Sequence, residues 1–244
     1  MPLNLDVTVV ILAGGFGRRL RNAVPDRQKV LAPVNNRPFI FYLLDQIRQS
    51  GFNEVTVCTG YKGQEVHETI GERYETLQIF YSCEVEPLGT AGALRLAIEG
   101  MGSRWLLVMN GDSYTNIDLG KFLAWHIKKK ASISLVVTHS SELARYGSVV
   151  LSSEKLVLGF TEKAAESKNE AGLINTGVYL IDRNLACRIP TNTPASLERD
   201  FLPQFINGDS CVCGYLAENE FIDIGTPVSY REAQEFFKNI NKSL

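Results

Sequence analysis

The strongest constraint on the fold lies between Val7 and Lys29. The apolar run Val7 to Leu12 leads directly into Leu12-Ala13-Gly14-Gly15-Phe16-Gly17-Arg18-Arg19, and Lys29 follows ten residues after Arg19. A short run of this kind suits a strand buried on both faces of a parallel sheet. The glycines let the backbone turn sharply and present its N–H groups at the strand's carboxyl end. Such N–H groups with Arg and Lys beside them suit a polyphosphate. The segment predicts a nucleoside triphosphate site. A P-loop is excluded, because no Gly, four residues, Gly-Lys-Ser/Thr string occurs. A dinucleotide fingerprint fails as well: Leu20 stands where the third glycine is needed, and Asn35 and Asn36 occupy the region where an acid is required. Taken alone, the loop is also compatible with a Gly-rich turn that binds nothing.

The first half alternates strand and helix patterns. Strands are expected over Val7 to Leu12, Glu54 to Thr59, Leu77 to Tyr81, Trp105 to Met109 and Ile133 to Thr138. Helices are expected over Phe39 to Ser50, Gly63 to Ile70, Thr90 to Glu99 and Leu119 to Lys130. Regular alternation argues a parallel, doubly wound sheet. After about residue 140 the pattern becomes mixed. Ser148 to Leu151, Leu156 to Thr161, Ile174 to Ile181 and Cys211 to Leu216 are strand-like, while Leu197 to Ile206 and Val228 to Asn239 are helix-like. No Pro- or Ser-rich linker separates the halves. The reading is one continuous domain over 1–244, with a nucleotide-binding half to about 140 and an acceptor half after it.

Two acids stand in unusual places. Asn110-Gly111-Asp112 follows the apolar run Trp105 to Met109, which puts a carboxylate at the carboxyl end of a parallel strand, where open α/β sheets bind ligands. Asp223 lies inside the apolar stretch Phe221 to Gly225, a costly position unless it is paired or metal-bound. Converging, the two would hold Mg²⁺ against phosphate oxygens. Read separately, Asp112 can be a turn residue and Asp223 a capping or salt-bridged acid. Glu84 to Gly92 opens a helix that Thr90 can cap and where Gly89 permits close backbone approach. Glu162-Lys163 follows a strand and Asn175-Thr176-Gly177 interrupts another.

With a net charge of −2, the chain offers no broad basic face for nucleic acid. Cysteines 58, 83, 187, 211 and 213 form an odd set without zinc spacing and read as free thiols, with Cys211 and Cys213 on one face of a strand. Neither a leader pattern nor an apolar run near eighteen residues occurs, so no membrane partner is expected and a reducing, cytoplasmic location is.

Together these pieces resemble the sugar-1-phosphate nucleotidyltransferase family. Its pattern of Gly-Gly-x-Gly-Thr-Arg-Leu and then Pro-Lys-Pro is echoed by Gly14 to Leu20 and Gln28-Lys29-Val30. Further echoes, in family order, are Glu86 to Gly92, Asn110-Gly111-Asp112, Phe160 to Lys163, Asn175-Thr176-Gly177 and Ile222 to Thr226. Arg18 stands where the family usually has Thr, and Gln28 and Val30 replace the prolines. The late segments Gly172 to Leu180, Ser196 to Phe201 and Phe221 to Pro227 resemble one branch, the D-glycero-D-manno-heptose 1-phosphate guanylyltransferases. The fold implied is α/β: a single Rossmann-like (GT-A type) domain with a mixed, mostly parallel central sheet flanked by helices.

The resemblance implies transfer of a nucleotidyl group, most favourably from GTP, to a sugar 1-phosphate, with Mg²⁺ as cofactor. Gly14, Gly15, Gly17 and Arg19 would hold the β- and γ-phosphates, and Lys29 would sit by the α-phosphate. Leu12, Ala13, Arg18, Glu86, Gly89, Thr90 and Gly111 would complete the nucleotide site, with the base near Ala13, Glu86, Gly89 and Thr90. Asp112 and Asp223 would carry the metal. Lys163 would neutralise the sugar phosphate, and Tyr146, Gly147, Glu162, Asn175, Thr176 and Glu198 would line the sugar site. Uridylyl or thymidylyl transfer to N-acetylmuramate or glucose 1-phosphate uses the same core. A regulatory subunit that binds nucleotide-sugar without turnover is the alternative of another class. A monomer and a homo-oligomer are both compatible with these features.

Overall fold

The computed structural model describes residues 6–17, 19–20, 24–25, 27–161, 171–206, 208, 210–218 and 221–240. Arg18, Glu162 and Lys163 lie outside them.

Four parallel strands form the first half of the sheet: β1 (Val7–Leu12), β2 (Glu54–Thr59), β3 (Leu77–Cys83) and β4 (Trp105–Asn110), in the order β4-β1-β2-β3. The crossovers carry α1 (Ile40–Gln49) and α2 (Gly63–Ile70), then α3 (Gly89–Ala97). Side chains alternate across the sheet, and both faces are covered. Val9 and Ile11 pack in one core with Leu43, Leu44 and Ile47 of α1 and Val66 of α2. Val10 packs in the other with Ala91 and Leu94 of α3. Double coverage is why β1 reads as a continuous apolar run.

After β4 the chain makes the short strand β5 (Ser113–Thr115), then α4 (Leu119–Lys129) and β6 (Ile133–Ser140). The Asp118 side chain caps α4 by accepting from Lys121 N at 2.9 Å, and Lys130 ends it in the left-handed region at φ 52°. The hairpin β7 (Ser148–Leu151) and β8 (Val157–Thr161) follows, then the long β9 (Gly172–Asp182), β10 (Val212–Leu216), β11 (Phe221–Asp223) and α5 (Pro227–Ile240).

Alternation alone does not disclose the position of β9. It runs antiparallel to both neighbours, between β4 and β6, and its first residues also pair with β7. One reversed strand thus divides the parallel set, and the sheet is mixed and mostly parallel. The register of β9 against β6 shifts between Asn175 and Tyr179. Gly177 sits in that irregularity at φ +83°, where a Cβ would lie 2.5 Å from the Asn110 side-chain nitrogen. Only glycine suits that position.

The helix expected over Leu197 to Ile206 is instead a wide π-type turn, Leu197–Phe201, followed by a tighter turn, Leu202–Gln204. Pro203 supplies the reason: it has no N–H and its ring obstructs the preceding turn. Cys211 and Cys213 share a face as expected, with their sulfurs 3.6 Å apart. Among the described residues no helix is long and apolar enough to cross a membrane.

The core also holds a histidine. His126 of α4 is fully buried, edge-on to Trp105, and its Nδ1 hydrogen bonds with Ser134 Oγ at 2.7 Å, while Nε2 has no partner. Burial pushes its pKa down to about 4, against a smaller upward pull from Asp182. The unfolded chain takes that proton below about pH 6.5, whereas the folded one does so only near pH 4. Stability should therefore fall by roughly 3 kcal/mol as pH drops through this interval. Urea denaturation across pH 4 to 7 would show the decline in the native chain, and His126→Gln should flatten it.

Candidate active site

The carboxyl ends of β1 and β4 form the floor of the site. Gly111 lets the chain after β4 fold over β1: its N–H donates to the Leu12 carbonyl at 2.9 Å, and a Cβ there would lie 2.8 Å from the same oxygen. This close approach brings Asp112 to Lys29, whose Nζ donates to Asp112 Oδ2. The Lys29 side chain is 10% exposed and the Asp112 side chain 41%. Burial pushes the Asp112 carboxyl up, but the Lys29 ammonium and its hydrogen bond, helped by Arg19, outweigh it and hold the group below its ordinary range. Asp112 is therefore ionised at neutral pH.

Gln28 shapes the loop above. Its Nε2 donates to the Ala13 carbonyl and, at 3.2 Å, to the Gly15 carbonyl. Its Oε1 accepts from Val30 N at 2.7 Å, and its own N–H donates to Glu65 Oε2 of α2 at 3.1 Å. Gln28 is 1% exposed, and its bonds to the Ala13 carbonyl and Val30 N form away from water. Gly17, at φ +59°, packs against the Lys29 stem, which a Cβ would approach to 3.0 Å.

Two cavities open on either side of the Lys29–Asp112 pair. One, of about 320 Å³, is lined by Leu12, Ala13, Gly14, Gly15, Phe16, Gln28 and Glu84. The other, of about 430 Å³, is lined by Arg19, Arg145, Tyr146, Gly147, Asn175, Glu198 and Asp223. They share Lys29, Gly89, Thr90, Asn110 and Asp112. Most of the described candidates from the sequence thus line one of two chambers joined at one ion pair, while Gly17, Glu86 and Gly111 line neither. Arg19 falls in the larger one, opposite the glycine loop.

In the first chamber the neighbouring acids change places. Glu86 is exposed and borders neither cavity, whereas Glu84 lines the smaller one. Glu84 Oε2 accepts from Leu88 N at 2.9 Å, and Oε1 lies where a Cβ on Gly14 would be 2.7 Å away. Burial raises the Glu84 carboxyl above its ordinary value, partly offset by the Leu88 N–H.

In the second chamber two of the predicted sugar-site residues, Asn175 and Glu198, belong to one network. Asn175 Nδ2 donates to Tyr179 Oη at 2.7 Å, and Tyr179 Oη donates to Glu198 Oε1 at 2.8 Å. Glu198 Oε2 accepts from Ser196 Oγ at 2.9 Å and Thr90 Oγ1 at 3.1 Å. Thr90 therefore does not cap α3. Its hydroxyl also accepts from Leu197 N at 2.8 Å, tying α3 to the π-type turn. Gly89 allows that contact, since a Cβ would lie 2.5 Å from the Ala195 carbonyl. The Thr176 hydroxyl is engaged by the Val136 carbonyl at 3.2 Å. The Gly147 carbonyl accepts from Asn175 N at 3.1 Å. Tyr146 gives its hydroxyl to Asp223 Oδ2.

Asp223 pairs in register with Ser113, and Ile224 N donates to the Asp112 carbonyl at 2.9 Å, so both acids reach the same end of the site. A Cβ on Gly225 would lie 2.8 Å from Asp223 Oδ1 and 3.5 Å from Lys29 Nζ, so the two groups face one point. Asp223 Oδ1 accepts from Gly225 N at 2.5 Å and Ser229 Oγ at 2.8 Å, and Oδ2 also accepts from Arg145 at 3.2 Å. Among the described residues no cluster of three or more His, Cys, Asp or Glu forms. Two carboxylates without soft ligands fit Mg²⁺, which is commonly held by one or two carboxylates plus phosphate oxygens and water.

Residues 8–240 match the nucleotidyl transferase family. The chain is 36% identical over 227 residues to the D-glycero-alpha-D-manno-heptose 1-phosphate guanylyltransferase of Aneurinibacillus thermoaerophilus, covering 93% of this chain and 96% of that one. It is 30% identical to the protein of the same description from Campylobacter jejuni, covering 91% and 96%. The crystal structure of HddC from Yersinia pseudotuberculosis is similar with a TM-score of 0.83 at 28% identity, over 94% of this chain and 99% of that one. A second HddC structure, complexed with GMP-PN, gives 0.82.

The Gln28 bonds carry a stability consequence. Gln28→Ala would leave the Ala13 carbonyl and Val30 N–H without these partners, a loss of about 1–3 kcal/mol for buried polar groups. Guanidinium chloride denaturation should show the reduced midpoint, and the KM for nucleotide should rise with it.

Proposed function

The chain belongs to the nucleotidyl transferase family, and from that premise we propose that it transfers GMP from GTP to D-glycero-alpha-D-manno-heptose 1-phosphate, releasing pyrophosphate. The observation that carries the reading is the pair of chambers joined at Lys29 and Asp112. A transferase with two phosphate-bearing substrates needs such a junction, because its task is to bring two polyanions together and offset the charge that accumulates. The named relatives are guanylyltransferases, which favours GTP and a manno-heptose phosphate over the uridylyl and thymidylyl alternatives.

In this mechanism a phosphate oxygen of the sugar 1-phosphate attacks the α-phosphorus of GTP in line. The new P–O bond forms as the bond to the β-phosphate oxygen breaks, and that oxygen leaves with pyrophosphate. The nucleophile is already anionic at neutral pH, so no general base is required. The N–H groups of the 14–17 loop would hold the polyphosphate, and Lys29 would face the α-phosphate from the junction. Arg19 adds positive charge beside Asp112. Asp112 and Asp223 would hold Mg²⁺, which supplies charge neutralisation at phosphate oxygens. Asn175 and Glu198, fixed through Tyr179, Ser196 and Thr90, present amide and carboxylate groups to sugar hydroxyls. Tyr146 acts one step back, by orienting Asp223.

Glu84 suits the base. Guanine presents its N1–H and its amino group side by side, and a carboxylate accepts such a donor pair. Adenine has no such pair. The five free thiols fit a reducing compartment, and we place the reaction in the cytoplasm.

Pyrophosphate release with Mg²⁺, across GTP, ATP, UTP, CTP and dTTP against heptose, mannose, glucose and N-acetylmuramate 1-phosphates, tests the assignment. Activity confined to GTP with the manno-heptose phosphate is expected. Folded protein that binds nucleotide yet releases no pyrophosphate with any pair would favour the regulatory alternative. Asp112→Ala and Lys29→Ala should each lower the rate about 10²- to 10³-fold without unfolding the chain. A fully active Asp112→Ala would sink the metal assignment. Glu84→Gln should narrow the preference for GTP over ATP by about tenfold or more in kcat/KM, because one acceptor becomes a donor.

A further inference from the structure

Both carboxylates assigned to the metal already have a cation on them. Lys29 holds Asp112, and Arg145 holds Asp223. The two cations are kept in different ways. Lys29 is mostly buried, with its stem against Gly17 and its ammonium at the junction. Arg145 ends the short turn Leu143–Arg145, and its side chain is 29% exposed. Its guanidinium is divided between Glu142, which is itself 52% exposed, and Asp223 Oδ2 at 3.2 Å, and it lies 5.1 Å from the centre of the Tyr146 ring.

Asp223 does not depend on Arg145 for its place. Gly225 N and Ser229 Oγ bond Oδ1, and the Tyr146 hydroxyl bonds Oδ2. Arg145 can leave and the carboxylate stays oriented. It also borders the larger chamber, together with Gly147, Asn175 and Glu198. The substrate assigned to that chamber carries a phosphate dianion. Guanidinium matches phosphate through two parallel N–H···O bonds, a geometry that an ammonium lacks. A divalent cation on Asp223 would repel a guanidinium held at the same oxygen.

We propose that Arg145 is a transferable counter-ion: it neutralises Asp223 in the empty enzyme and passes to the phosphate of the sugar 1-phosphate when Asp223 takes up a divalent cation. This rests on the sugar-phosphate assignment of the larger chamber. No covalent bond changes, since only ion partners are exchanged. The exchange couples the two ligands: metal on Asp223 strengthens sugar-phosphate binding, and the reverse holds by the same factor.

The test uses the full chain and two variants, Arg145→Gln and Arg145→Lys, each checked for folding by near-ultraviolet circular dichroism. Mn²⁺ alone is titrated by the electron paramagnetic resonance signal of the free ion. Mannose 1-phosphate and manno-heptose 1-phosphate are then titrated calorimetrically with and without Mn²⁺. Arg145→Gln should bind Mn²⁺ several-fold more tightly, because a competing cation is gone. In the presence of Mn²⁺ it should bind sugar phosphate about ten- to hundred-fold more weakly, the loss of a charged hydrogen-bond partner. Metal should no longer strengthen its sugar-phosphate binding. Arg145→Lys should recover part of that affinity. Unchanged or weaker Mn²⁺ binding by Arg145→Gln, or undiminished sugar-phosphate binding, would overturn the transfer alone. A native chain that binds neither sugar phosphate would overturn the chamber's assignment, and the transfer with it.

Discussion

The contact between Lys29 and Asp112 is the point on which the site depends. Its net contribution to stability is small, because the carboxylate is partly open to solvent and such pairs are weak there. Its importance is positional. It joins the turn that follows the glycine loop to the end of β4, two segments more than eighty residues apart. Gly111 under one partner and Gly17 against the other let the chains approach closely enough for the pair to form. Each chamber is then defined by which side of this pair it lies on.

The second organising feature is the reversal of β9. A parallel crossover would have returned the chain at the far end of the sheet. By running antiparallel, β9 brings Asn175 and the irregularity at Gly177 to the carboxyl end of β4, beside Asn110. Both chambers are thus built on one sheet, and the strand that supplies Asn175 also supplies Tyr179, which holds Glu198.

Much of this was legible in the sequence, for identifiable reasons. The strands buried on both faces are apolar throughout, and their carboxyl ends carry the loop and Asp112, so the fold of the first half could be read directly. The insertion of β9 could not, because pairing partners are chosen by the whole sheet and leave no local mark. Glu84 and Glu86 are two residues apart and equivalent by pattern. The difference arises because Glu84 N still donates to Thr59 O at 2.9 Å, which extends the sheet by one residue, while the chain beyond turns outward and leaves Val85 97% exposed. Tyr179 escaped notice because a tyrosine in an apolar strand reads as core. It is core, yet its hydroxyl emerges into a polar network. The break at Pro203 was written in the sequence, but the apolar spacing around it outweighed the proline.

Gln28 stands where the resembled pattern has proline, and the exchange alters more than shape. A proline stiffens a loop by its ring, which needs no partner and does not report on anything nearby. Gln28 stiffens the same loop by bonds that can be broken, and its backbone N–H, which a proline would lack, reaches Glu65 on α2. The loop's rigidity is thus borrowed from its surroundings. Heat, denaturant or a disturbance of α2 can be transmitted to the backbone of the glycine loop through a contact that the proline pattern does not contain.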